Sequence, residues 1–262
     1  MLSRVALGAA RAVRQNAFKH SVAAFSTTGA TLPNDPVIVS FARTPVASFQ
    51  GDFASITAPQ LASIAVKGAI ERAGITPDLI DEAFLGNVIA TGQGQAPTRQ
   101  AVLGAGIPNS VPCTTINKVC ASGMKSVMFG AMSVMTGHQD IVLCGGFESM
   151  SNVPYHMPKA RAGLRLGDST IIDGLVKDGL WDPYADTHMG ICGERCSDDY
   201  NITREQQDEF ALESYARAAA AWESGTIAEE VVPVDVTTRG KTKTISEDSE
   251  FKLLQVCVVI LC

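Results

Sequence analysis

Apolar positions along the chain fall into two rhythms. DPVIVSFART carries a short apolar run after Pro36 and predicts a buried strand over 37–42. Leu61, Ile64, Ala65 and Gly68 then recur at the spacing of one helix face. Thr57-Ala-Pro-Gln60 fits a capping box with proline in the first turn, and Gly74 marks the stop. EAFLGNVIA (82–90) reads as a strand, TRQAVLGAG (98–106) as a short helix and CTTINKV (113–119) as a third strand. A helix over 121–136 and a strand in DIVLCGG (140–146) follow. Strands alternating with helices predict a layered α/β domain.

The pattern changes after Ser149. Residues 150–186 are rich in Pro, Gly and Met and predict an extended, partly helical excursion, with Asp186 capping a helix that runs to Tyr200. Thr203-Arg-Glu-Gln206 is a second capping box, opening a helix with Ala211, Tyr215, Ala218, Ala219 and Trp222 on one face. VVPVDVTT (231–238) and KTKTIS (241–246) predict a hairpin turning at Arg239-Gly240. In the last ten residues this patterning gives way to VCVVILC, which reads as a chain cut off in mid-fold.

Composition narrows the function classes. The 262 residues are 46% hydrophobic and 18% charged, enough for a sizeable core, and no stretch reaches the roughly 20 apolar residues of a membrane span. With Arg4, Arg11, Arg14 and Lys19 set aside, the 21 basic residues become 17 against 27 acidic ones. So acidic a body disfavours nucleic acid as a partner. Residues 1–34 are Ala-rich, Arg-bearing and acid-free, which predicts a mitochondrial transit peptide cut near Phe25–Gly29, and hence the matrix. The bland alternative is a disordered arm. The seven cysteines show no disulfide-framework spacing, and Cys113 and Cys144, in apolar strands, are expected in the core.

INKVCASGMKS (116–126) places Cys120 where a strand meets a helix. The positive end of a helix favours a thiolate, and its first N–H groups can steady an oxyanion. Ala121, Ser122 and Gly123 are small enough to admit a carbonyl. The combination suits a nucleophile that accepts an acyl group as a thioester. Lys118 and Lys125 flank it, and either is expected to be solvated. Met124, Met128, Ala131 and Met135 form a stripe at helical spacing that predicts core. His188, Cys192 and Cys196 share a helical face but match zinc spacing poorly. Gly92-Gln-Gly94 has Pro97 where a dinucleotide loop needs its third glycine.

INKVCASGMKS resembles the signature of the thiolase family around its acyl-accepting cysteine. GGFESMSNVPY (145–155) and GQGQAPTRQAVLGAGIP (92–108) resemble two further thiolase segments, and the likeness runs from about Pro36 to Lys252. HMG at 188–190 and the Tyr215 helix resemble the biosynthetic-type branch that handles acetoacetyl-CoA, including its mitochondrial members.

The resemblance implies a layered thiolase-like fold: the N-terminal half, with an inserted loop domain from about residue 120 that covers coenzyme A, and the C-terminal half missing. It implies that Cys120 takes acetyl from acetyl-CoA or cleaves acetoacetyl-CoA. It also implies that His188 and Met189 contact the pantetheine arm or acyl group, that Tyr215 lies by coenzyme A and a potassium ion, and that family members form dimers or tetramers. The family's Asn-Glu-Ala-Phe, Gly-His-Pro and Cys-x-Gly-Gly-Gly segments, which carry the proton-transfer groups, do not occur here. Little turnover is therefore expected of this chain alone. The alternative is a non-catalytic half-thiolase that assembles with full-length subunits and regulates them.

Overall fold

The computed structural model describes residues 35–252; the expected transit peptide (1–34) and the divergent tail (253–262) lie outside the described residues. At the centre is a three-stranded parallel sheet of β1 (Glu82–Gly86), β2 (Cys113–Ile116) and β3 (Val142–Gly146), with β1 in the middle. Gly86 lies in register with Ile116 on one side and Gly146 on the other. Period-two alternation sends Ala83 and Leu85 of β1 to one face and Phe84 to the other.

The first face meets α1 (Ala58–Ala73) and α2 (Pro97–Gly104). Ala58, Ala62, Val66 and Ile70 of α1 close on Ala83, Leu85, Ala101 and Val102 in one buried cluster. Both predicted signals at the ends of α1 hold: Gln60 Oε1 accepts from Thr57 N at 2.9 Å, and Gly74 ends the helix at φ 65°. Leu61 and Ile64 belong to a second cluster with Phe53, Val234, Val236 and Ile245. α1 is thus buried on two sides, more widely than its single predicted face.

The opposite face meets α3 (Ser122–Met135), where Phe129 packs on Phe84 with ring centroids 5.9 Å apart. Here the predicted core stripe is wrong. Met124, Met128 and Met135 are exposed, Met124 at 70%, and Ala131 is half-buried. The buried positions are Ser122, Ser126, Gly130 and Ser133. The cause is close approach: a β-carbon on Gly130 would overlap Cys144 Sγ, so only small residues fit against the sheet. Cys113 and Cys144 are half-buried rather than fully enclosed.

The strand predicted over 37–42 does not form. Val37, Ile38 and Phe41 are exposed, Ile38 at 78%. The segment is held at the C-terminal end of α1 instead, with Ser40 Oγ donating to Ala69 O at 2.8 Å and Arg72 donating to Phe41 O at 3.1 Å. Its strand-like contact is one parallel bridge, Arg43 to Val231. An apolar run specifies burial but not its partner, and the described chain offers this run no full strand to pair with.

Residues 150–186 form single helical turns and two-residue ladders, β4 (Tyr155–His156) with β5 (Ile172–Asp173) and β6 (Trp181–Asp182) with β7 (Thr187–His188). α4 (Met189–Tyr200) is capped by His188, not by Asp186. Asp186 lies at φ 50° and accepts from Trp181 Nε1 at 3.0 Å, so its carboxylate is engaged in the preceding turn. α5 (Arg204–Glu223) carries the expected capping box at Thr203 and Gln206. Of its predicted face, Tyr215, Ala218 and Trp222 are half-buried, whereas Ala211 and Ala219 are exposed. The hairpin forms as β8 (Val234–Thr238) and β9 (Lys241–Ile245), turning through Arg239 and Gly240 at φ 51° and 76°. Arg43 ties this region back: its guanidinium donates to both Asp248 oxygens, at 2.7 and 2.9 Å, and to Glu230 at 2.6 Å.

Candidate active site

β2 ends at Ile116, and the chain reaches α3 through five residues, Asn117 to Ala121. Their turn is sharp. Val119 has φ 49°, a left-handed conformation that costs a β-branched residue about 1–3 kcal/mol. Ser122, buried in the first helical turn, pins the turn from the far side: its Oγ accepts from Lys118 N at 2.8 Å and donates to Val119 O at 2.6 Å. From the near side, Asn117 Oδ1 accepts from Val119 N at 3.0 Å. Cys120 sits on the turn, two residues before the helix, and is exposed.

The helix end rests on a floor of glycines. A β-carbon on Gly86 would stand 2.5 Å from Ser122 C, and one on Gly146 would stand 3.2 Å from Gly123 Cα. Ser126 Oγ then binds β3 directly, accepting from Gly145 N at 2.9 Å and lying 2.7 Å from both the Gly123 and Gly145 carbonyl oxygens. The paired glycines at 145–146 thus provide close backbone packing beneath the cysteine-bearing helix. Lys125 is not free in solvent, since its Nζ lies 4.3 Å from the Phe129 ring centroid.

Behind the turn lies a carboxylate that the sequence reading gave no role. Glu148 accepts from Val88 N and from Asn87 Nδ2, each at 2.8 Å. Asn87, 2% exposed, also donates to Phe147 O at 3.1 Å. Burial pushes the Glu148 carboxyl above the ordinary 4.5, against the opposing pull of these donors. The available signal was a charged residue two places beyond an apolar strand, facing an asparagine two strands' spacing away in sequence.

The other predicted site residues have their own surroundings. His188 is half-buried and its Nδ1 accepts from Gly190 N at 3.0 Å; Met189 is exposed at the start of α4, and Tyr215 is half-buried on α5. Among the described residues no hydrogen bond or ring contact joins any of them to Cys120. Cys192 and Cys196 lie in α4 and His188 caps it, and no group of three His, Cys, Asp or Glu poised for a metal occurs among the described residues. No described helix is long and apolar enough to cross a membrane. An exposed thiol at the positive end of a helix, on a rigid turn and flanked by small residues, can attack an electrophilic carbonyl and carry the acyl group.

Residues 36–254 match the family model for the thiolase N-terminal domain. Acetyl-CoA acetyltransferase 1 of Arabidopsis thaliana is 53% identical over 219 residues, covering 83% of this chain and 53% of its own length. The mitochondrial acetyl-CoA acetyltransferase of Bos taurus is 54% identical over 220 residues, covering 84% and 52%. Other relatives of similar identity are named mitochondrial or cytosolic. A crystal structure of the Acat5 thiolase from Ascaris suum in complex with coenzyme A superposes with a TM-score of 0.76 at 40% identity, covering 82% of this chain and 54% of that one. The chain spans about half the length of the curated relatives it matches.

Proposed function

The chain belongs to the thiolase family, as its N-terminal domain, and on that premise we propose that it carries the acyl-accepting half of an acetyl-CoA C-acetyltransferase. The observation that carries this is the exposed Cys120 thiol on its braced turn at the head of α3. Cys120 Sγ attacks the thioester carbon of acetyl-CoA. The bond from that carbon to the coenzyme A sulfur breaks, the acetyl group stays on Cys120, and the proton lost by Cys120 ends on the released coenzyme A thiol. A second acetyl-CoA, having lost a methyl proton to a base, then attacks the acetyl-cysteine. A carbon–carbon bond forms to the acetyl carbon, its bond to Cys120 Sγ breaks, the proton held by the base returns to the thiolate and acetoacetyl-CoA leaves; thiolysis runs the same steps in reverse.

In this reading the segment after residue 120 covers coenzyme A. His188 and Met189 contact its pantetheine arm or the acyl group, and Tyr215 lies near the coenzyme and a potassium ion. Support comes from the relatives' names and from the coenzyme A in the Ascaris thiolase. The family segments that carry the groups deprotonating Cys120 and the second substrate do not occur among these 262 residues, and full turnover requires those groups as well. The acid-free, Arg-bearing start supports import into the mitochondrial matrix.

Intact-mass measurement after incubation with acetyl-CoA tests the reading. One acetyl adduct is expected on the unaltered chain and none on Cys120→Ser. No adduct on a folded chain would remove the acyl-accepting role. A second reading has its own observation: Val127, Met128 and Met132 of α3 are exposed together with Ile38 and Phe41. Apolar exposure on this scale favours a chain that assembles with longer thiolase subunits, or with copies of itself, as dimers or tetramers do. Co-purification with intact subunits, without an acetyl adduct, supports that reading over the first.

A further inference from the structure

We propose that Asn117 and Glu148 are positioning residues for Cys120, acting by holding Val119 in its left-handed conformation. This rests on the reading of Cys120 as the acyl acceptor. Val119 at φ 49° is exposed, so packing does not hold it in a conformation a valine ordinarily leaves. Hydrogen bonds must do so, each contributing about 0.5–1.5 kcal/mol. Asn117 supplies one through Oδ1 to Val119 N, and its own amide is aimed by donating Nδ2 to Val88 O at 3.1 Å. Val88 is fixed in turn by its N–H to Glu148 Oε2.

The three links cross the C-terminal ends of all three parallel strands. Asn117 follows β2 by one residue, Val88 follows β1 by two, and Glu148 follows β3 by two. The sheet register, Gly86 opposite both Ile116 and Gly146, brings these ends level. The half-buried carboxylate therefore ties the turn to the strand ends of the central sheet. Neither side chain hydrogen-bonds to Cys120 itself, so their effect on the thiol passes through Val119.

The test is the rate at which iodoacetamide alkylates Cys120 at about pH 7.5, read by peptide mass, with exposed Cys196 as the internal reference. Asn117→Ala and Glu148→Ala should each slow Cys120 by about 2- to 10-fold, the worth of one hydrogen bond, while leaving Cys196 unchanged. Glycine takes positive φ freely, so in a Val119→Gly background both effects should shrink to less than about twofold. A merely structural role would give the same loss in both backgrounds. That result, or Cys120 and Cys196 slowing together, or no change in Asn117→Ala, overturns the proposal. If Glu148→Ala does not fold, Glu148→Gln takes its place with a smaller loss expected, because one acceptor oxygen remains for Val88. Alkylation does not require acyl transfer. A missing acetyl adduct alongside the expected alkylation pattern would therefore remove the functional reading and leave the positioning role standing.

Discussion

Gly86 of β1 and Gly123 of α3 touch so closely that a side chain on the strand would enter the helix backbone: a β-carbon at 86 would lie 2.6 Å from Gly123 N. Backbone cannot rotate away as a side chain can. Gly86→Ala should therefore lift the head of α3 and cost about 1–3 kcal/mol. Gly146→Ala, whose β-carbon would be 3.2 Å from Gly123 Cα, should cost less. Urea midpoints of the two variants check the order, and Gly146→Ala proving the worse would contradict it.

Glu148 should show a pH signature in stability. Its carboxyl titrates above the ordinary 4.5 because partial burial strips it of water, so the native state holds the proton more tightly than the unfolded chain. The stability this gives is present below 4.5 and is lost as pH rises through the raised value. Glu148→Gln does not titrate there. Measured from about pH 4 to pH 7, its stability relative to the parent should improve as pH rises; a flat difference would refute the burial argument. Glu148→Ala should cost about 1–3 kcal/mol throughout, since the Asn87 amide and the Val88 N–H lose their acceptor.

The Arg43–Asp248 pair predicts the opposite slope. Burial alone would raise the Asp248 carboxyl, but the Arg43 guanidinium and the Val46 N–H together hold it below the ordinary 3.8. Its contribution is present above 3.8 and is lost as pH falls through the lowered value. Asp248→Asn should cost about 1 kcal/mol at neutral pH, a modest figure for a partly exposed pair, and the gap should close in acid. Thermal melts at about pH 7 and pH 3 read both values.

Thiol chemistry should sort the cysteines by position. Burial pushes the Cys144 thiol up to about 11, whereas Cys120 and Cys196 are exposed. At about pH 8 an alkylating reagent should mark Cys120 and Cys196 and leave Cys144 unmodified in the folded chain. Peptide mapping reads the pattern, and early labelling of Cys144 would mean that α3 does not sit on β3 as described.

Local signals carried much of this into the sequence. Thr57, Gln60, Thr203 and Gln206 announce their caps because a capping box closes within four residues. Arg239-Gly240 announces its hairpin for the same reason. Cys120 was legible because a strand, a cysteine and small residues follow one another directly. Long-range relationships were not. The bonds from Asn117 to Val88 and from Val88 to Glu148 join residues 29 and 60 positions apart, and no periodicity records them. Apolar periodicity marked Met124, Met128 and Met135 and the run at 37–42 without saying which surface would meet them. In α3 the contact with the sheet went to serines and glycine, which hydropathy ranks low.

That substitution has a consequence for recognition. By giving its small residues to the sheet, α3 turns a ridge of thioethers outward at Met124, Met128, Met132 and Met135. Methionine is unbranched and polarizable, and it changes rotamer at little cost. Such a ridge moulds itself to what it meets and imposes little shape of its own. Any shape selectivity on this side of the molecule then falls to stiffer residues, among them the β-branched Val119 that flanks the thiol.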